Sequence, residues 1–130
     1  MKSAVSLALA ILLAGCTQTV PSATHENSTP APQPAAAGFD QEQRVGRLIV
    51  TPLALIEDSR CPINAICVWQ GRLILSARVA LNRQVDTVRL TLREPKKVHG
   101  RTITLETATP NRQSGVVIAP GDYRFGFSGG

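Results

Sequence analysis

The strict alternation of apolar side chains between residues 73 and 92 constrains this fold more than any other feature of the sequence. A period of two residues is typical of β-strands with one buried face, because successive side chains point to opposite sides. The pattern therefore predicts an antiparallel β-hairpin. Its two strands carry apolar residues at Leu73, Leu75, Ala77, Val79 and Leu81, and then at Val88, Leu90 and Leu92.

The turn of this hairpin is predicted at Asn82-Arg83, because Asn tolerates the positive φ that a two-residue turn needs at its first position. A slip of one residue would turn the apolar side chains to the wrong face. Asp86 is the exception, since it falls on the apolar side opposite Val79 and must extend to the rim. The predicted register pairs Ala77 with Val88, Leu75 with Leu90, and Leu73 with Leu92.

Short runs of Val, Ile, Leu and Thr between turn residues predict the remaining strands. His99-Gly100 is a second predicted tight turn, and Pro95 separates the two hairpins because proline cannot donate to a strand ladder. The fold class predicted is all-β, a small antiparallel β-sandwich or open barrel of about six to seven strands with one disulfide. The predicted strands are 45–50, 53–57, 68–81, 84–93, 97–98 with 101–108, and 122–127.

The length of 130 residues allows one folded domain. We divide the chain into a signal peptide at 1–15, a lipidated Cys with a disordered Pro- and Ala-rich tether at 16–38, and a β domain at 39–130. The tether has almost no large apolar side chains, so it cannot form a core. As a flexible coil it spans roughly 25 Å.

The first sixteen residues resemble the export signal of bacterial lipoproteins. A short basic start precedes about eleven apolar residues, which are too few to cross a bilayer, and the segment ends in Leu12-Leu13-Ala14-Gly15-Cys16. The resemblance implies that Cys16 carries the lipid, palmitate included, and that acyl chains hold the protein on a membrane. Thr17 follows Cys16 where inner-membrane lipoproteins tend to have Asp, which implies the periplasmic face of the outer membrane.

Cys61 and Cys67 are the other two cysteines, and in an exported chain they most simply form a disulfide. Three alternatives stay open. A thiol-redox site would more usually have the spacing C-x-x-C. A metal site would have His99 as a third ligand at most. A peptide- or glycan-binding loop would use Arg60 and Trp69, although Trp69 could instead cover the disulfide or the end of the core.

Residues 58–71 resemble a group of small bacterial secreted proteins and lipoproteins. These share an Asp-Ser-Arg-Cys-Pro stretch, a second Cys and a Val-Trp-x-Gly step into a long strand. The likeness runs from about Val45 to Phe127. Residues 119–123 also resemble the Pro-Gly-x-Tyr entry to a late strand in immunoglobulin-like sandwiches. Neither resemblance brings catalytic or binding residues with it.

The outward face of the predicted central hairpin is basic. In the predicted register Arg72 lies opposite Arg93, which is unfavourable unless a negative group lies between them. Glu57, Glu94 and Glu106 are candidates for that group, as is an external anion such as a lipid headgroup. The face is thus either solvated or a salt-sensitive contact for an anionic surface. Its arginines are Arg72, Arg78, Arg89 and Arg93.

No motif in the sequence indicates catalysis. His99 is the only His of the predicted domain, the serines lack a nucleophile-elbow context, and no phosphate-binding loop is present. We predict no enzyme, no cofactor and no nucleic-acid partner. The expected function is a lipid-anchored, non-enzymatic envelope module that binds an envelope protein or an anionic surface. The alternatives are an inhibitor or accessory subunit of an envelope enzyme, or a thiol-redox or metal protein.

Overall fold

The protein is described from a computed structural model that covers residues 36–130, so the expected signal peptide, Cys16 and most of the expected tether lie outside the described residues. The described part is all-β, as predicted. It contains seven strands and one short 3-10 turn at Pro120–Asp122. The strands are β1 (Gln43–Val45), β2 (Leu48–Asp58), β3 (Leu73–Leu81), β4 (Gln84–Thr91), β5 (Pro95–Val98), β6 (Arg101–Thr109) and β7 (Arg124–Gly129).

The strands form two antiparallel sheets, one in the order β1-β2-β3-β4 and the other in the order β5-β6-β7. Both sheets contribute to one apolar core, so the arrangement is sandwich-like. An isolated bridge between Leu92 and Leu105 connects the two sheets. The largest fully buried side chains are Leu48, Leu73, Leu75 and Leu90 from the first sheet, and Ile103, Leu105, Phe125 and Phe127 from the second.

The central hairpin has the predicted register. Ala77 pairs with Val88 and Leu75 pairs with Leu90, and the Leu92 amide donates to the Leu73 carbonyl at 2.9 Å. Both predicted turns are also confirmed: φ is +55° at Asn82, +50° at His99 and +71° at Gly100. The exposed Asp86 reaches the rim, where its carboxylate lies 3.7 Å from the imidazole Nδ1 of His99.

The first two predicted strands were wrongly divided. Val45 ends β1, a turn at Gly46-Arg47 follows, and residues 48–58 form one long strand. Pro52 lies inside β2, where the register against β3 shifts between Pro52 and Ala54. The shift accommodates a residue without an N–H, so the strand continues through Pro52.

The prediction that a strand begins at residue 68 was also wrong, because β3 begins only at Leu73. The residues before Leu73 continue the β2–β3 hairpin with irregular pairing. The Ser59 amide donates to the Arg72 carbonyl, and the Cys61 amide donates to the Gln70 carbonyl. Gly71 breaks the regular strand with a φ of +68°. The predicted strand 84–93 ends two residues early, at Thr91, since Arg93 has a φ of +66°.

The two ends of the sandwich differ. One end, here called the turn pole, carries the turns after β1, β3 and β5, and His99 contacts the Val79 carbonyl there. The other end, the loop pole, carries the long loops 59–72 and 110–123. The Ile63 amide donates to the Arg112 carbonyl at 2.9 Å, so these two loops lie side by side.

The described chain enters along β7, where Ala37 and Phe125 exchange backbone hydrogen bonds of 2.8 and 2.9 Å. Phe39 then packs edge-to-face on Phe125 and Tyr123, with ring centroids 5.2 and 6.2 Å apart. Ala37 and Gly38 therefore pack on the domain, although the sequence prediction places them in the tether.

Candidate binding surface at the loop pole

A largely buried ion pair holds the base of the loop pole. Asp58 is the last residue of β2, and its two carboxylate oxygens accept hydrogen bonds from Nε and Nη2 of Arg60, both at 2.7 Å. The Tyr123 hydroxyl donates to Asp58 Oδ2 at 2.9 Å. The Arg60 guanidinium also donates to the carbonyls of Ala108 (2.7 Å) and Pro110 (3.1 Å). One arginine therefore connects β2 to the end of β6 and to the loop beyond it.

The protonation of this cluster follows from its contacts. Burial raises the pKa of Asp58, but hydrogen bonds from Arg60 and Tyr123 outweigh burial, and the pKa lies below its ordinary value. Burial and the hydrogen bond to Asp58 raise the pKa of Tyr123. The hydrogen bonds to Asp58 raise the pKa of Arg60. The ion pair is therefore fully charged at neutral pH, and Arg60 serves as an internal brace.

A disulfide joins Cys61 and Cys67, as predicted, and closes the first loop. The closed loop rests on the loop that follows β6. Arg112 Nη1 donates to the Arg60 carbonyl at 2.8 Å, and the Ser114 amide donates to the Asn64 side-chain oxygen at 2.8 Å. These contacts cross about 50 residues of sequence. The two loops form one supported unit.

Gly71 is required where the chain returns from this unit to β3. A Cβ atom at this position would lie 1.7 Å from the Ser59 carbonyl oxygen, and the φ of +68° is one that side chains disfavour. The close approach lets the Arg72 amide bond to the Ser59 hydroxyl at 3.0 Å. The glycine of the Val-Trp-x-Gly step is thus explained by backbone crowding.

The loops of the loop pole expose several large apolar side chains. Relative to a free side chain, Ile66 is 105% exposed, Val117 93%, Val68 90% and Trp69 82%. Of the two alternatives for Trp69, the one in which it covers the disulfide or the end of the core is therefore wrong. Four of the six apolar residues come from the disulfide loop and its exit, and two come from the neighbouring loop. We call this surface the apical patch: Ile63, Ile66, Val68, Trp69, Val116 and Val117.

An apolar hollow of about 460 Å³ lies beside the apical patch. Ile118, which follows Val117 directly, lines it together with the packed rings of Phe39 and Tyr123. The apolar surface of the loop pole is therefore continuous along the chain from Val116 to Ile118. The remaining residues of the hollow are Leu53, Ala54, Leu55 and Pro120.

A polar cleft of about 410 Å³ opens at the base of the loop pole, and both Arg72 and Arg93 line it. Glu57, one of the three predicted counterions, pairs with Arg72 at 2.9 Å. Hydrogen bonds from Ser59 and Arg72 lower the pKa of Glu57. Glu94 and Glu106 line the same cleft, so acidic groups accompany the arginines.

The other predicted binding residues are dispersed. Arg78 and Arg89 project from the exposed side of β3 and β4, where they lie opposite Thr87 and Ser76. Their strands place them away from the apical patch. Cys16, the expected lipid attachment site, lies outside the described residues.

Sequence reasoning missed four of the six apical residues, namely Ile63, Ile66, Val116 and Val117. Residues 116–119 are a run of four apolar residues inside a turn-rich segment, and this run was the available signal. A run of this kind is equally typical of a short buried strand, so its exposure was not predictable from the pattern.

The chemistry of the remaining polar groups is limited. Within residues 36–130, no three His, Cys, Asp or Glu side chains lie close enough together to hold a metal ion. The largely buried His99 side chain has its Nε2 at 3.2 Å from the Val79 carbonyl. In the described part of the chain, no helix has the length and hydropathy that a membrane crossing requires.

Comparisons with protein-family models, with curated protein sequences and with solved structures found no match to this chain.

Proposed function

We propose that this protein is a lipid-anchored, non-enzymatic binding module of the bacterial cell envelope, and that the apical patch is its binding surface. The observation that supports this most strongly is the exposure of Ile66, Val68, Trp69 and Val117 on loops held in place by a disulfide and an ion pair. Exposed apolar clusters of this kind mark interaction sites in soluble domains.

The support beneath the patch makes it suitable for binding. The brace of Asp58 and Arg60, together with the disulfide, orders the loops before any partner arrives, which reduces the entropy lost on binding. The lipobox ending in Cys16 and the Pro-rich tether fit a module that acts close to a membrane. The net charge of +5, of which only Lys2 lies in the expected signal peptide, favours approach to acidic envelope surfaces.

A second candidate function is inhibition of an envelope enzyme. The observation that favours it is the projection of Ile66 from a loop closed by Cys61 and Cys67, because a rigid protruding loop can fill an enzyme cleft. In that case the purified protein lowers the activity of the enzyme that it contacts through Ile66.

Photo-crosslinking in intact cells tests the proposed function. A photoreactive amino acid replaces Ile66 in one variant and Val85 in a matched control, since Val85 is an exposed apolar residue on β4. We expect irradiation to give adducts at position 66 that are absent at position 85. Adducts of either lipid or one specific protein at position 66 support a binding module. Equal labelling at both positions, or no labelling at either, contradicts it.

A further inference from the structure

The size of the apical patch indicates what kind of partner it fits. A standard protein–protein interface contains about 20–30 residues on each side. The apolar residues of the patch number six, and the seven lining residues of the neighbouring hollow raise that number only to thirteen. A protein partner, including a second copy of this chain, would therefore have to contact polar neighbours of the patch as well. A lipid bilayer adapts to the shape of the protein, so it can bind an apolar surface of this size.

The residue types point in the same direction. Five of the six apical residues are Val or Ile, and the sixth is Trp69. Hot spots between proteins are enriched in Trp, Tyr and Arg, whereas Val is under-represented. Branched aliphatic side chains combined with a Trp are instead typical of surfaces buried at the headgroup boundary of a bilayer, where the amphipathic ring of Trp is favoured.

The charges around the patch also suit a lipid partner. Residues 59–71 and 107–121, which carry the patch, contain no Asp or Glu, so these segments bring no carboxylate into a bilayer. Asp122, near the end of the second loop, lies beyond them. Each segment contains one arginine, and both arginines are used internally. Arg60 binds Asp58, and Arg112 donates to the Arg60 carbonyl. The outer surface of the patch is therefore both uncharged and apolar.

From these observations we infer that the apical patch inserts into the headgroup region of a phospholipid bilayer. This inference rests on the proposed function and names the partner of that binding surface. The expected tether has a root-mean-square span of roughly 25 Å, so it keeps the domain near the membrane and even weak insertion is favoured by a high effective concentration. Insertion would hold the domain against the bilayer with the turn pole facing away.

Trp69 provides a direct measurement, because it is the only Trp of the chain and lies within the patch. The experiment uses the chain from residue 16 onward with Cys16→Ser, which has neither acyl chains nor the apolar signal and keeps every described strand. It is mixed with vesicles of phosphatidylethanolamine and phosphatidylglycerol. We expect a blue shift of Trp69 emission and quenching by brominated acyl chains. In about 1 M NaCl, where the Debye length is about 3 Å, the shift should persist.

Two variants decide whether the apical patch is responsible. Ile66→Asn combined with Val117→Asn should lower the vesicle partition coefficient by at least about tenfold, because each change removes a branched apolar side chain from the lipid. Val85→Asn, the matched control on β4, should leave the partition coefficient unchanged. Circular dichroism of all three proteins checks that the sheet content is the same.

The outcomes separate this inference from the proposed function. A Trp69 shift that the double variant loses and the control keeps supports insertion. If Trp69 emission does not shift at any lipid concentration, insertion is wrong. Insertion is also wrong if the protein binds vesicles without a Trp69 shift and high salt abolishes this binding. That result would indicate binding through the arginine face on β3 and β4. If vesicles have no effect but Ile66 crosslinks to one envelope protein in cells, insertion is wrong and the binding module stands.

Discussion

At the scale of single residues, the loop pole depends on the contacts of Asp58. Its carboxylate receives three hydrogen bonds of 2.7 to 2.9 Å from two side chains, one near Asp58 in the sequence and the other distant from it. Arg60 follows two residues after Asp58, so this contact is local in the sequence. Tyr123 lies 65 residues away, and only the fold brings its hydroxyl to the same carboxylate.

Replacing Asp58 with Asn should destabilise the protein at neutral pH by about 2–3 kcal/mol, because the hydrogen bonds from a charged guanidinium lose their charged acceptor. The folded pKa of Asp58 lies below its ordinary value, which is about 3.9. Its stabilising effect is therefore complete above that value and is lost as the pH falls through the folded pKa. Urea unfolding from neutral pH to about pH 2 measures both effects.

The matched control for this experiment is Asp122→Asn, which changes an exposed carboxylate on the 3-10 turn. We expect this variant to keep the stability and the acid dependence of the parent protein. Asp58→Asn should show a weaker loss of stability below about pH 4 than the parent. An unchanged acid profile in Asp58→Asn would contradict the role assigned to this carboxylate.

At the scale of elements, the disulfide loop is an extension of the β2–β3 hairpin. Backbone hydrogen bonds from Ser59 to Arg72 and from Cys61 to Gln70 continue the pairing beyond Asp58 and Leu73. The disulfide then closes the outer part, and the loop after β6 supports it from the side. The disulfide loop, which carries most of the apical patch, thus contributes no residue to the apolar core.

Replacing both Cys61 and Cys67 with Ser should lower the free energy of unfolding by about 2 kcal/mol, as expected for a short closed loop in the chain-entropy model. The sandwich should remain folded, because its core lies between the sheets rather than in the loop. Urea unfolding measures the loss. A reductant should lower the stability of the parent protein to that of the variant and leave the variant unchanged.

Alkylation provides the complementary result. Cys61 and Cys67 of the unreduced protein should resist labelling, and both should react once a reductant is added. Two thiols that label readily without reduction would contradict the disulfide.

At the scale of the whole molecule, the domain has two unlike ends. The turn pole carries tight polar turns, and the loop pole carries the apical patch. An anchor at Cys16 would add a third feature, a flexible connection long enough to let either end meet the membrane. The orientation of the domain is then decided by which end binds, which is why insertion of the patch matters for function.

The anchor itself is tested by Cys16→Ala. Without the thiol there is no lipid attachment, and the stable membrane binding that two or more acyl chains provide should be lost. We expect the parent protein to enter the detergent phase in phase separation, and the incorporation of labelled palmitate to disappear in the variant. The same palmitate incorporation in parent and variant would contradict Cys16 as the attachment site.

Much of the fold could be predicted because its signals are local. The alternation from Leu73 to Leu92 determines which face of the hairpin is buried, and Asn82 determines where it turns, so its register followed from neighbouring residues alone. The errors came where a local signal was ambiguous. The predicted break between residues 50 and 53 lies inside β2, and the predicted strand start at Val68 precedes the first residue of β3, Leu73.

The sequence by itself determined the β class, the central hairpin, the pairing of Cys61 with Cys67 and the likeness to a lipoprotein signal, because each depends on residues close together in the chain. Only the tertiary structure decided that Arg60 turns inward and Trp69 outward. It alone brought the loop at 61–67 against the loop at 112–117. Side-chain exposure depends on what distant segments cover, and no local pattern of residues contains that information.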